Sequence, residues 1–157
     1  VSVVTTEEKV GERILDVAQA IQSLSYLTYT RRQYTQTDFR ADVGTFLTEM
    51  NYRYNSNVDV DGMSETHRVD FSILDQNRPT YIETLHAEDA STAKTMAQRT
   101  AYKWGDIEAK MPDAQRISVI DDDSGEFGSD AERILNNWSD ELVPWSQKDQ
   151  LNAALTA

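Results

Sequence analysis

The spacing of apolar residues predicts two helices in the first third of the chain. Thr5 with Glu8 forms a capping-box pattern. Apolar residues then recur at steps of three and four along one helical face, at Val10, Ile14, Val17, Ile21 and Leu24. A second helix is predicted to begin at Thr37 or Asp38. Its buried side is expected to hold Phe39, Val43, Phe46, Leu47 and Met50.

After Asn51 the apolar period changes to two, which is typical of strands. Apolar positions alternate in runs near residues 52–54, 58–60, 69–73 and 81–85, and Val69, Phe71 and Ile73 are expected to be buried. Asn-Ser-Asn, Asp-Gly and Asn-Arg-Pro segments separate these runs, as turns do. The pattern predicts an antiparallel meander of three to four strands.

The apolar pattern of the last third of the chain predicts a helix, a strand and a helix. The long helix covers 90–110, with Pro112 after it, and a strand covers 116–120. A helix over 129–140, a short strand over 142–145 and a final short helix follow. We expect Trp104, Trp138 and Trp145 to lie in the core. Because no repeat or linker interrupts the pattern, we predict a single domain over 1–157 of the mixed α/β (α+β) class.

Composition narrows the possible chemistry. The 157 residues include no cysteine, so only His67, His86 and the carboxylates remain as plausible metal ligands. No apolar run approaches the roughly 20 residues that cross a bilayer, and the first residues lack the basic segment of a secretory signal. We therefore expect a cytoplasmic protein without a membrane span.

The charge of the chain disfavours direct nucleic-acid binding. Its formal net charge is -12, with 15 Lys and Arg against 27 Asp and Glu, whereas phosphate binding draws on cations. An acidic surface can serve solubility alone, reflect a salt-adapted host, or bind a basic protein partner. For a partner, our first choice of contact is the acidic loop formed by Asp121, Asp122, Asp123 and Glu126.

Two carboxylates on neighbouring predicted strands are the main candidates for catalysis. Asp70 stands within His-Arg-Val-Asp-Phe-Ser-Ile and Glu83 within Tyr-Ile-Glu-Thr-Leu-His. Carboxylates on one face of adjacent strands can share a Mg²⁺, which lowers the pKa of a bound water. The alternative is that both are polar residues on the solvent side of their strands. His67 and His86 are expected to be surface or hydrogen-bonded histidines rather than ligands.

The order helix, three strands, helix, strand resembles the restriction-endonuclease-like core, written PD-(D/E)XK. The resemblance implies that Asp70 and Glu83 hold the cation, and that Glu49 matches a helical acid of some members. The family lysine is replaced by Leu85, so the core is degenerate. Some members carry the lysine on the adjacent helix, which makes Lys94 and Lys103 candidates. The stretch from His67 to Val-Pro-Trp-Ser is also similar to small uncharacterised domains of Gram-positive bacteria and their phages.

Three functional hypotheses follow. The preferred one is a non-enzymatic interaction protein without a cofactor, such as a phage or mobile-element inhibitor that binds a basic host protein. The second is a Mg²⁺-dependent nuclease that uses Asp70, Glu83, Glu49 and a helical lysine such as Lys103. It needs a local basic patch, for which the candidates are Arg31, Arg32, Arg40 and Arg53. The third is an assembly subunit that forms a homodimer through its first helix. We expect Mg²⁺ to bind weakly at most, because two carboxylates do not complete its shell.

Overall fold

The computed structural model describes residues 33–157 apart from Asp75, together with the single residue Ala18. The chain divides into two units, Val1–Gln33 and Tyr34–Ala157. The apolar face predicted for the first helix, and with it the homodimer hypothesis, lies outside the described residues. The single-domain boundary over 1–157 stays a prediction.

The second unit is built around a five-stranded mixed sheet. Helix α1 (Gln36–Glu49) precedes strands β1 (Tyr54–Asp61), β2 (Thr66–Ile73) and β3 (Thr80–Leu85). Helix α2 (Ala90–Lys110) leads to β4 (Gln115–Ile120), and α3 (Ser129–Trp138) leads to β5 (Glu141–Pro144). A 3₁₀ turn (Trp145–Gln147) and α4 (Asp149–Thr156) follow.

The strands lie in sequence order across the sheet. The first three are antiparallel, whereas β4 runs parallel to β3 and β5 runs parallel to β4. The predicted α/β (α+β) class and the order of its elements from the second predicted helix onward are confirmed, including a sheet of at least four strands. None of the helices among the described residues is long and apolar enough to span a bilayer.

Helix α1 begins with a reciprocal cap. The Asp38 backbone N–H donates to Thr35 Oγ1 at 3.3 Å, and the Thr35 backbone N–H donates to Asp38 Oδ2 at 3.0 Å. This pairing satisfies two of the amide groups that a helix start leaves open. Met50, predicted to be buried, is 39% exposed. That prediction was wrong because Met50 is the C-cap residue, beyond the last helical turn.

The two faces of the sheet carry separate apolar clusters. On one face, α1 and α4 pack over β2 to β5 through Phe39, Val43, Leu47, Phe71, Ile82, Ile117 and Leu151, among others. The residues of α2 form clusters with Val60 and Val69 around Trp104, and with Leu85, Ile120 and Leu135 nearer α3. The expected burial of Val69, Phe71 and Ile73 is confirmed.

Two further details of the prediction were wrong. The Asn-Ser-Asn segment lies inside β1, where Asn57 adopts a φ of 52° while its neighbours keep their register with β2. Trp138 is 44% exposed, because it ends α3 and covers Gly105 from outside. Trp104 is fully buried as expected, and Trp145 packs against Phe39 with ring centroids 5.5 Å apart.

Candidate active site

Asp70 and Glu83 lie where the regular pairing of β2 with β3 ends. Paired residues run from Ile73↔Thr80 to Phe71↔Ile82, and Asp70 and Glu83 are the residues next to the last pair. The Asp70 carboxylate accepts from the Thr84 backbone N–H at 2.8 Å and from the Thr84 hydroxyl at 2.6 Å. A side chain therefore takes the acceptor role that a strand carbonyl usually has, and the position of Asp70 is fixed.

A lysine from α2 completes this pair. Lys103 Nζ donates to Glu83 Oε1 at 2.5 Å and to the Arg68 carbonyl at 2.7 Å. The side chains of Asp70, Glu83 and Lys103 are 14%, 16% and 16% exposed, respectively. Leu85 is buried in the core. Of the two candidate lysines on α2, Lys103 is the one that contacts Glu83.

Burial dominates the electrostatics of Glu83. Removal of its carboxylate from water raises its pKa to about 7, although the Lys103 ammonium lowers it, and the Asp70 charge raises it further. Among the described residues, no hydrogen-bond partner is found for the buried Glu83 Oε2. A buried carboxylate oxygen without a partner is costly. A hydrogen bond from the Asp70 backbone also lowers the Glu83 pKa.

Asp70 contacts Arg40 of α1 and Glu83 contacts Lys103 of α2, so these two carboxylates could hold a Mg²⁺ ion only if it kept most of its water shell. Within residues 33–157, Asp75 aside, no group of three His, Asp or Glu side chains converges to hold a metal. Mg²⁺ commonly binds through only one or two carboxylates and takes its other ligands from water and substrate phosphates. Asp70 and Glu83 are the residues that would hold it.

A groove lies next to this triad. Its cavity of about 420 Å³ is lined by residues of α1, β1 and β2, among them Arg40, Glu49, Asn57 and Phe71. Arg40, which lines the groove, has its Nη1 3.5 Å from Asp70 Oδ1, whereas Asp70, Glu83 and Lys103 are not among the lining residues. Glu49 is exposed on its wall, and no contact joins it to Asp70 or Glu83 among the described residues.

The other predicted residues lie elsewhere. Lys94 pairs with Asp130 at 3.4 Å, between α2 and α3. In the acidic loop, Asp121 is only 1% exposed and accepts from His86 Nδ1 at 2.8 Å. Asp122, Asp123 and Glu126 are exposed, and the Asp122 carboxylate accepts from the Ser146 backbone N–H and hydroxyl.

The sequence predicted surface or hydrogen-bonded histidines, and both are buried and hydrogen-bonded. His67 Nε2 lies 2.8 Å from Asp106 Oδ2. The Asp106 carboxylate also accepts from the backbone N–H groups of Ser64 and Glu65 at the tip of the β1–β2 hairpin. These contacts hold the pKa of Asp106 at about 2, even though desolvation raises it. The pair fixes the hairpin to α2.

Sequence reasoning missed the roles of Thr84 and of the Arg68 carbonyl. Thr84 occupies the variable position next to Glu83, and its hydroxyl is a visible signal for a second hydrogen bond to a neighbouring carboxylate. The Arg68 carbonyl carries no side-chain signal at all. Its contact with Lys103 depends on how α2 lies across β2.

Comparisons with known proteins support the fold only. No family model and no curated protein sequence matches the chain. One similar solved structure is Can2 from Sulfobacillus thermosulfidooxidans in complex with cyclic tetra-adenylate. It has a TM-score of 0.53 and 15% identity, and the match covers 77% of this chain and 35% of Can2.

A second similar structure is AF1548, a protein of unknown function. It has a TM-score of 0.49 and 18% identity, and the match covers 68% of this chain and 56% of AF1548. This chain therefore spans about half of AF1548 and about a third of Can2.

Proposed function

We propose that this protein is a Mg²⁺-dependent DNA nuclease whose site consists of Asp70, Glu83 and Lys103. The observation that carries the proposal is the 2.5 Å contact between Lys103 Nζ and Glu83 Oε1. It supplies, from α2, the cationic group that the strand motif lacks at Leu85. Structural ion pairs are common, but this one stands beside a second carboxylate and an unpartnered Glu83 oxygen.

Each residue has a distinct part in this proposal. Asp70 and Glu83 would hold Mg²⁺, which when bound lowers the pKa of a coordinated water and offsets phosphate charge. Thr84 keeps the Asp70 carboxylate in place through two hydrogen bonds. An ammonium group has three donors. Two of those on Lys103 are used by Glu83 and Arg68, so the third is left for a phosphate oxygen or the attacking water.

The net charge of -12 restricts how such an enzyme would hold DNA. Without a broad basic surface, non-specific affinity is expected to be low and strongly dependent on salt. The opposite hypothesis, a non-enzymatic inhibitor of a basic host protein, is favoured by the same charge and by the exposed acids Asp122, Asp123 and Glu126. The nuclease requires Asp70, Glu83 and Lys103, whereas the inhibitor does not depend on them.

Cleavage of fluorescent single-stranded and duplex DNA in Mg²⁺ or Mn²⁺ tests the proposal. Asp70→Asn and Glu83→Gln should abolish cleavage, and Lys103→Met should slow it by about 100-fold, as loss of one positioned electrostatic group does. Lys94→Met is the matched control, because it removes a lysine of the same helix that pairs with Asp130 instead.

The outcomes separate the two hypotheses. Wild-type protein that shows no cation-dependent cleavage, or Lys103→Met protein as active as the Lys94→Met control, would contradict the nuclease. An inhibitor would instead keep its partner binding in the Asp70→Asn variant. Its association with the partner would slow at low salt when the three exposed loop acids are replaced by serine.

A further inference from the structure

The backbone of Asn57 is unusual for the middle of a strand. Its φ is 52°, and Asn51 is the only other described residue with a positive φ. Asn51 directly follows the end of α1, where a left-handed residue is common. Asn57 belongs to no turn, and residues on both sides of it pair in register with β2. Such a conformation is costly, and it is concentrated at functional sites.

The Asn57 side chain holds Arg40. Its Oδ1 accepts from Arg40 Nη1 at 3.0 Å, and the same nitrogen lies 3.5 Å from Asp70 Oδ1. Both contacts that Arg40 makes with described residues therefore use one terminal nitrogen. Arginine carries five donors in a planar fork. Among the described residues, no partner is found for the Nη2 and Nε donors of Arg40, and the side chain is 34% exposed.

The surroundings of Arg40 are polar. Arg40 lines the cavity of about 420 Å³, whose walls also carry the hydroxyl side chains of Thr37 and Ser56 and the exposed Glu49 carboxylate. The Thr45 hydroxyl in the same wall donates to the Ala41 carbonyl. A guanidinium binds phosphate through two parallel hydrogen bonds. Because Arg40 lies beside Asp70, a phosphate bound there would be adjacent to the proposed cleavage site.

We propose that Arg40, positioned by Asn57, binds the phosphodiester next to the one that is cut. The inference rests on the proposed nuclease function and names a substrate-binding site for it. It also answers the problem of the net charge, because a single positioned arginine can anchor a strand locally on an acidic protein. Asn57 is a positioning residue, since it acts through Arg40.

Binding of labelled DNA in EDTA, measured by fluorescence anisotropy, tests this without cleavage. Arg40→Ala should weaken binding about tenfold, which is the value of a charge-assisted contact. It should also reduce the slope of log Kd against log salt by about one. Arg40→Lys should lose less affinity. The matched control is Arg133→Ala, which removes an equal charge at an exposed site on α3. Parallel single-stranded and duplex probes identify which form the groove accepts.

Asn57→Gly keeps the left-handed backbone but removes the amide. It should weaken binding about threefold and raise KM with little change in kcat, while the melting temperature stays within 2 °C or so of wild type. Equal affinity of Arg40→Ala and wild type, or an equal loss in Arg133→Ala, would overturn the inference.

The two proposals fail separately. If Arg40-dependent binding persists but the wild type does not cleave, the nuclease proposal alone is wrong. If Lys103→Met is inactive but Arg40→Ala binds normally, the phosphate site alone is wrong.

Discussion

Replacement of Glu83 by glutamine should change how stability depends on pH. In the wild type, burial raises the Glu83 pKa to about 7, from 4.5 for an unperturbed glutamate. Between these two values the unfolded chain has lost the Glu83 proton while the folded protein still holds it. The free energy of unfolding of the wild type therefore falls as pH rises through this window.

The size of the effect follows from the two pKa values. One pKa unit corresponds to about 1.4 kcal/mol, so an interval of about 2.5 units between the two states amounts to about 3 kcal/mol. Glutamine cannot ionise. The stability of Glu83→Gln relative to wild type should therefore increase by about 3 kcal/mol from pH 4.5 to pH 8. Near pH 4.5 the folded wild type keeps Glu83 protonated, so its free energy of unfolding is close to that of Glu83→Gln.

Urea unfolding at half-unit pH steps, in EDTA to exclude cations, measures this difference directly. Glu126→Gln is the control, because it removes a carboxylate from an exposed loop position. Its difference from wild type should stay flat. A Glu83→Gln difference that stays constant within about 1 kcal/mol from pH 4.5 to pH 8 would refute the argument that burial controls Glu83.

Three further outcomes are expected. Thr35→Ala removes the cap of α1 and should lower the free energy of unfolding by about 1 kcal/mol in urea titrations. Gly62→Ala would place a Cβ 2.1 Å from Asp106 Oδ2, so it should cost about 1–3 kcal/mol in the same assay. Replacement of the three exposed loop acids, Asp122, Asp123 and Glu126, by serine should slow association with a basic partner at low salt but not at high salt. Stopped-flow kinetics measure this difference.

Local signals account for the parts of the fold that were predictable. The bounds predicted for α2 are those of the structure, because Asp89 caps its start and its apolar residues keep a helical period. The strand at 116–120 and the helix from Ser129 were likewise visible, since turn residues and apolar runs bound them. Asn57 was misread because Asn and Ser favour turns, and a left-handed residue within a ladder has no separate sequence signal.

The choice between Lys94 and Lys103 needed the structure. The two lysines are nine positions apart, which is two and a half helical turns, so they point to opposite sides of α2. Only the packing of Trp104 and Ile107 on the sheet decides which side faces Glu83. Similarly, the pairing of Asp70 with Thr84 depends on the ladder between β2 and β3 ending beside them.

The order of the strands has a consequence for self-association. It leaves β1 and β5 as the two edge strands of the sheet. Edge strands invite pairing with another copy and, with it, aggregation. Here β5 has four residues and ends at Pro144, which has no amide hydrogen to donate, and Asn57 interrupts the regular backbone of β1. Neither edge offers a long, regular row of unpaired groups, so open-ended growth by strand addition is disfavoured at both borders.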